Sequence, residues 1–207
     1  MHREEKNLNY KLAVTGAFSA IVVILGITRL GFISINPAVS LTILQIPVIL
    51  TVLLAGFVPG LTVGVVFGIF SLIQAAMSPA GGLDPLFVNP LVSIVPRMMI
   101  AVVTFFVDFL LRKIPHMPKI VSGGIAAFFG SLSNTVFVIG ALYLIFNAST
   151  KAVMGGIGYF ATLAVLMPNA LIEAAVSVLV SVLVLSGIYI ASSKKSKVSK
   201  LESSDKK

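Results

Sequence analysis

The side chains able to do chemistry in this sequence are few, and most of them interrupt apolar runs. Arg97 and Glu173 are charges within such runs, and the amides Gln45, Gln74, Asn89, Asn134 and Asn169 lie within others or at their edges. Asn169 and Glu173 stand four residues apart, so on a helix they share one face. A polar group facing hydrocarbon is costly, which makes each of these residues a functional candidate. Together a guanidinium, a carboxyl and several amides can grip a small polar solute through hydrogen bonds and one fixed positive charge.

Groups for reaction chemistry are missing. There is no cysteine, hence no disulfide, thiolate nucleophile or thiolate metal site. No G-x-x-x-x-G-K-[ST] phosphate loop is present, so ATP hydrolysis by that route falls to other proteins. The two histidines are His2, near the start, and His116, in the turn Pro115-His116-Met117-Pro118. Neither can build a serine–histidine dyad or an H-E-x-x-H zinc site inside a membrane. The sequence therefore assigns no catalytic residue, metal or cofactor, and reads as a binding or transport protein. An ion-coupled carrier using Glu173 or Asp108 stays open, although no inverted repeat or matched pair of broken helices is visible.

Those polar residues must be positioned by elements that live in lipid. Of 207 residues 57% are hydrophobic and 11% charged, with mean hydropathy +1.07. A soluble domain carries about 25% charged residues, and no water-soluble fold of this size could hide so much apolar surface. The net charge of +8 comes largely from the two ends: Arg3, Lys6 and Lys11 at one, six lysines from Lys194 to Lys207 at the other. Basic ends flanking apolar spans suit an anionic membrane surface better than nucleic acid.

A bilayer core of about 30 Å takes roughly 20 helical residues. Runs near that length predict an all-α integral membrane protein of six transmembrane helices: 12–28, 41–57, 60–77, 92–111, 119–146 and 168–191. The first span lacks a cleavage signature and is expected to be retained. Pro168 is expected in the first turn of the sixth span, where its missing N–H costs nothing. Residues 147–167 then form a long connection, and 78–91, with Pro79, Gly81, Gly82, Pro85 and Pro90, an irregular loop. Six spans put both termini on one side. Every basic residue except Arg29, Arg97 and Lys151 falls on that side, so the positive-inside bias makes both termini cytoplasmic. The organisation is a cytoplasmic segment 1–11, a membrane domain 12–191 and a basic cytoplasmic tail 192–207.

Placed by depth, the polar residues gather in the outer half, with Ser93, Ser131 and Ser133 among them. Only Asp108, four residues before Arg112 and expected to pair with it, lies in the inner half. Plainer roles exist for each: an Arg97–Glu173 pair as structural glue, interfacial glutamines, Asn134 as an interhelical hydrogen bond. Gly56, Gly60, Gly64 and Gly68 recur every four residues and are expected to pack a neighbouring helix closely; Ala13, Gly16, Ala17 and Ala20 form a second small-residue face, for internal packing or for a partner.

The strings Leu30-Gly31-Phe32-Ile33, Leu44-Gln45-Ile46-Pro47-Val48-Ile49, Asn89-Pro90-Leu91-Val92-Ser93-Ile94-Val95-Pro96-Arg97, Ser133-Asn134-Thr135-Val136 and Pro168-Asn169-Ala170-Leu171-Ile172-Glu173 resemble the substrate-specific S-components of energy-coupling factor (ECF) vitamin transporters. They are most similar to the pantothenate branch. The resemblance, from about Leu12 to Ala191, implies a plasma-membrane subunit that captures a vitamin at the outer face. It further implies a transmembrane T-component and two cytoplasmic ATPases as partners. In that reading Ala13 and Ala17, overlapped by Gly16 and Ala20, dock on the T-component, and loops 29–40, 78–91 and 147–167 gate the site. Arg97 would meet the vitamin's carboxylate. Gln45, Gln74, Asn89, Asn134, Asn169 and Glu173 would meet its other polar atoms, and Phe32, Phe87 and Tyr143 its apolar part. Gln45 departs from the histidine expected there in the pantothenate branch, which keeps a hydroxymethylpyrimidine or a pyridoxine-like ring as alternatives.

Overall fold

The structure, a computed structural model, describes residues 2–28, 31–36, 39–79 and 82–204, with side chains described for 7–28, 31, 42–79 and 82–191. Its elements are helix α1 (His2–Ile27), strands β1 (Phe32–Asn36) and β2 (Val39–Thr42), then helices α2 (Gln45–Ala55), α3 (Phe57–Met77) and α4 (Pro90–Leu111), α5 (Lys119–Ile145), α6 (Asn147–Val153) and α7 (Tyr159–Ser204). A 3-10 turn, Asp84–Val88, precedes α4. Among the described residues five helices are long and apolar enough to cross a membrane: Asn7–Ile27 of α1, α3, α4, α5 and Tyr159–Ala191 of α7.

The architecture is helical, as composition demands, with two departures from the expected spans. Residues 41–57 were expected to form one span. Here β1 and β2 pair as an antiparallel hairpin, Phe32 opposite Thr42 and Ile33 opposite Leu41, which uses up the residues before Gln45. What remains is α2, 11 residues long, or about 16 Å, half the hydrocarbon core. Apart from Gln45 and Thr51 it is apolar all round, and every residue from Gln45 to Val52 is buried, because α1, α3, α4, α5 and α7 all pack against it. The core lies around it, with Leu44, Val48, Ile49 and Val52 meeting Val22, Val63, Phe67 and Ile100.

The second departure is Pro168, which does not open a helix. It sits inside α7, which begins nine residues earlier at Tyr159. Proline in a helix interior removes one hydrogen bond, yet membrane helices tolerate it where neighbours compensate. The expected connection 147–167 therefore consists of α6, a short turn and the opening turns of α7.

Glycines set the distances between helices. Gly56 turns the chain from α2 into α3 at φ 99°, a backbone that favours glycine. A Cβ on Gly64 would stand 2.8 Å from the Arg97 carbonyl oxygen, and one on Gly68 2.6 Å from Ile94 Cα. Gly60, Gly64 and Gly68 are thus an internal packing face, Gly60 against α2 and the other two against α4 where Arg97 emerges, whereas Gly56 stands outside α3 and a Cβ there would meet nothing within 4 Å. At the other end of α4, Arg112 Nε pairs with Asp108 Oδ2 at 2.7 Å, as their spacing predicts.

Candidate functional site

Two polar groups lie towards the end of the bundle where α2 and α4 begin and α3 ends, with α5 and α7 contributing residues from their interiors. In the first, Gln45 is the hub. It opens α2 directly beneath the hairpin and is fully buried. Its Nε2 donates to Ser131 Oγ at 2.6 Å and, longer, to Glu173 Oε2 at 3.4 Å, while its Oε1 accepts from Asn134 Nδ2 at 3.1 Å. Glu173 Oε1 accepts from the Thr42 backbone N–H at 2.6 Å and from Asn169 Nδ2 at 3.5 Å. Four elements, β2, α2, α5 and α7, are laced together by this network. The expected grouping of Gln45, Asn134, Asn169 and Glu173 is what the fold assembles.

The second group surrounds Arg97, which is 7% exposed. Pro96 cannot donate the helical hydrogen bond to the Val92 carbonyl, and Arg97 Nη1 donates to that oxygen instead, at 3.0 Å. Nη2 donates to Ser71 Oγ on α3 at 3.1 Å. The rings of Phe67 and Phe87 lie 5.4 and 5.1 Å from the guanidinium carbon, within cation–π range. These partners carry no negative charge, and Nε has no acceptor among the described residues. An Arg97–Glu173 ion pair is not among the salt bridges of the described residues.

The remaining expected residues fall into different roles. Gln74 is one turn beyond Ser71 on α3, with Oε1 buried and lacking a described partner. Asn89 caps α4: its side chain accepts from the Leu91 N–H at 2.9 Å, ahead of Pro90 in the first turn. Ser93, one turn on, donates to the Phe87 carbonyl and so ties the 3-10 turn that carries Phe87 to α4. Tyr143 is separate from both groups. Its hydroxyl donates to the Ile157 carbonyl at 2.7 Å and lies 2.6 Å from Thr162 Oγ1, clamping α5 to the start of α7. The side chain of Phe32, the gate residues 29, 30, 37, 38, 80 and 81 and the side chains of the basic tail lie outside the described residues.

Sequence reasoning missed Ser71, Phe67 and the Thr42 N–H. A serine or a backbone amide barely registers against an apolar background, although Ser71 precedes Gln74 by one helical turn. The half of the bundle that holds Asp108 is less apolar than expected: Thr104, Ser177 and Ser181 are fully buried there, their hydroxyls without partners among the described residues, and Ser122 Oγ donates to Asp108 Oδ1 at 3.0 Å.

Among the described residues no three His, Cys, Asp or Glu gather as metal ligands. Among the described residues the site's unfilled capacity includes a cationic donor, Arg97 Nε, and the amide acceptors Gln74 Oε1 and Asn134 Oδ1. Such a set complements a solute bearing an anionic group together with hydroxyl or amide donors.

A profile of the ECF transporter substrate-specific component family matches residues 10–185, which span both polar groups. The chain is also similar to the pantothenic acid transporter PanT of Lactococcus lactis subsp. cremoris (strain MG1363), at 27% identity over 155 residues, covering 68% of this chain and 76% of that protein.

Proposed function

The chain belongs to the substrate-specific components of ECF transporters, and on that premise we propose that it captures pantothenate at the outer face of the membrane. Membership makes it a multi-pass plasma-membrane transport subunit that binds substrate and leaves ATP hydrolysis to others. The proposal extends to the site: Arg97 holds the vitamin's carboxylate, with Ser71, Phe67 and Phe87 fixing the guanidinium. Gln45, Gln74, Asn134, Asn169 and Glu173 supply donors and acceptors for its amide and two hydroxyls. Asn89 and Phe87 shape the site from its rim and Phe32 covers it, whereas Tyr143, expected to join them, holds α5 to the start of α7 apart from the site.

One observation carries this reading. Arg97 is buried in a membrane helix with neutral partners and an Nε that has no acceptor among the described residues. A buried cation left in that state is expensive, and an anionic ligand removes the cost. The similarity to a pantothenic acid transporter supports the choice of anion. Gln45 supports a second reading, because an amide at the hub can pair with the ring nitrogen of a pyrimidine or pyridine as well as with a hydroxyl.

The proposal includes six crossings with both termini cytoplasmic, α2 and the hairpin together making the sixth. It also includes a T-component and two ATPases as partners, docked through the α1 face of Ala13, Gly16, Ala17 and Ala20. All four are exposed, and a Cβ on Gly16 would meet nothing within 4 Å. Reconstituted alone in liposomes with an ion gradient, the protein should bind radiolabelled pantothenate without accumulating it. Gradient-driven accumulation by the lone chain would replace this account with an ion-coupled carrier.

A further inference from the structure

The cleft between the end of α5, α6 and the start of α7 belongs to neither polar group, and its chemistry is two-sided. Its volume is about 570 Å³, within the range of ligand sites. Its lining is apolar along α5, the side termed the floor, with Val136, Phe137, Gly140 and Leu144, and polar at α6, termed the mouth, with Asn147 and Lys151. Leu144 is 88% exposed and Phe160, just beyond the cleft, 82%. On a membrane protein those are lipid-facing positions.

Depth fixes which part of a lipid each end meets. Tyr143, Tyr159 and Phe160 cluster in edge-to-face contacts where α5 ends and α7 begins. Aromatic residues at helix ends mark the headgroup level, so Lys151 stands among headgroups while Val136 and Gly140 lie deeper, against acyl chains. Gly140 keeps the floor open, since a Cβ there would touch nothing within 4 Å. Lys151 is a cation at the mouth of a lipid-facing slot, beside an amide able to donate a hydrogen bond.

We propose that this cleft is a binding site for one anionic phospholipid, with its phosphate on Lys151 and Asn147 and an acyl chain along Gly140. The occupant is an intact lipid, because a free phosphate leaves the apolar floor unused and a neutral lipid leaves Lys151 unpaired.

The chain contains no tryptophan, so an introduced one is a reporter free of background. The full-length protein with Leu144→Trp is reconstituted into phosphatidylcholine vesicles, and quenching by brominated phosphatidylglycerol is compared with quenching by brominated phosphatidylcholine. We expect phosphatidylglycerol to be preferred about fivefold, the effect of one lysine near an anionic headgroup. Adding Lys151→Gln, or filling the floor with Gly140→Leu, should bring the preference close to unity with the melting temperature unchanged. A second reporter, Leu183→Trp on an exposed part of α7 away from the cleft, should not respond to Lys151→Gln. Equal quenching by both lipids at Leu144→Trp, or a preference that survives Lys151→Gln, would overturn the proposal. So would relief of quenching by glycerol phosphate, which points to a free-anion site, or by pantothenate, which would give the cleft to the cargo.

Discussion

Arg97 Nη1 donates at 3.0 Å to the carbonyl of Val92, the oxygen that would accept from residue 96 if that residue were not proline. Adjacent residues thus cooperate: Pro96 opens an acceptor inside the helix, and Arg97 occupies it, which orients the guanidinium along α4 towards Ser71 and the two phenylalanine rings. Replacing Pro96 with Ala restores an N–H that competes for that oxygen. The Pro96→Ala protein should melt at the same temperature or higher, yet bind pantothenate severalfold more weakly. An unchanged affinity would show that the tether does not matter for binding.

Glu173 is the acceptor on which three donors converge, from Thr42, Gln45 and Asn169. Glu173→Ala removes that shared acceptor, at about 1–3 kcal/mol for each donor that finds neither another partner nor water. Glu173→Gln keeps one carbonyl acceptor and should lose markedly less. Thermal unfolding in detergent, without ligand, checks the order; equal melting temperatures for the two variants would remove Glu173 from the structural network.

The close approach of α3 and α4 predicts contrasting glycine substitutions. Gly68→Ala presses a methyl group on the Ile94 backbone, which cannot yield as a side chain would, and should lower the melting temperature and the affinity together. Gly140→Ala meets open space and gains helix propensity of up to about 1 kcal/mol, so its melting temperature should stay level or rise. Similar destabilisation of both variants would contradict the packing described for α3 and α4.

How far the sequence reached follows from how each feature writes itself. Long spans are legible because lipid demands uninterrupted apolar runs, so α3, α4 and α5 lie close to their expected limits. The hairpin was not legible: Phe32–Asn36 and Val39–Thr42 have the composition of a span's edge, and only pairing across the turn makes them strands. Pro168 was misread because the rule against interior proline is weaker where lipid and neighbouring helices hold a span together. Amides and charges stand out against hydrocarbon, so Gln45, Asn134, Asn169, Glu173 and Arg97 are legible from residue type alone. Ser71, Phe67 and the Thr42 N–H act through position alone, which residue type does not reveal.

The exposed small-residue face of α1 predicts a separation of binding from transport. Ala13→Leu combined with Ala17→Leu should leave pantothenate affinity unchanged in the isolated protein and abolish uptake once the partner subunits are present, because bulk there holds a partner helix away. Loss of binding in the isolated double variant would mean that this face serves the protein's own fold.

The most direct measurement is a calorimetric titration of the purified, full-length protein with pantothenate, beside hydroxymethylpyrimidine and pyridoxine, repeated with Arg97→Ala. The account predicts saturable binding of pantothenate at one site, preferred over both ring compounds, and a loss of at least about 2 kcal/mol, roughly thirtyfold, in the variant. Pantothenate binding that is absent from a folded protein, or equally tight in a folded Arg97→Ala variant, would contradict it.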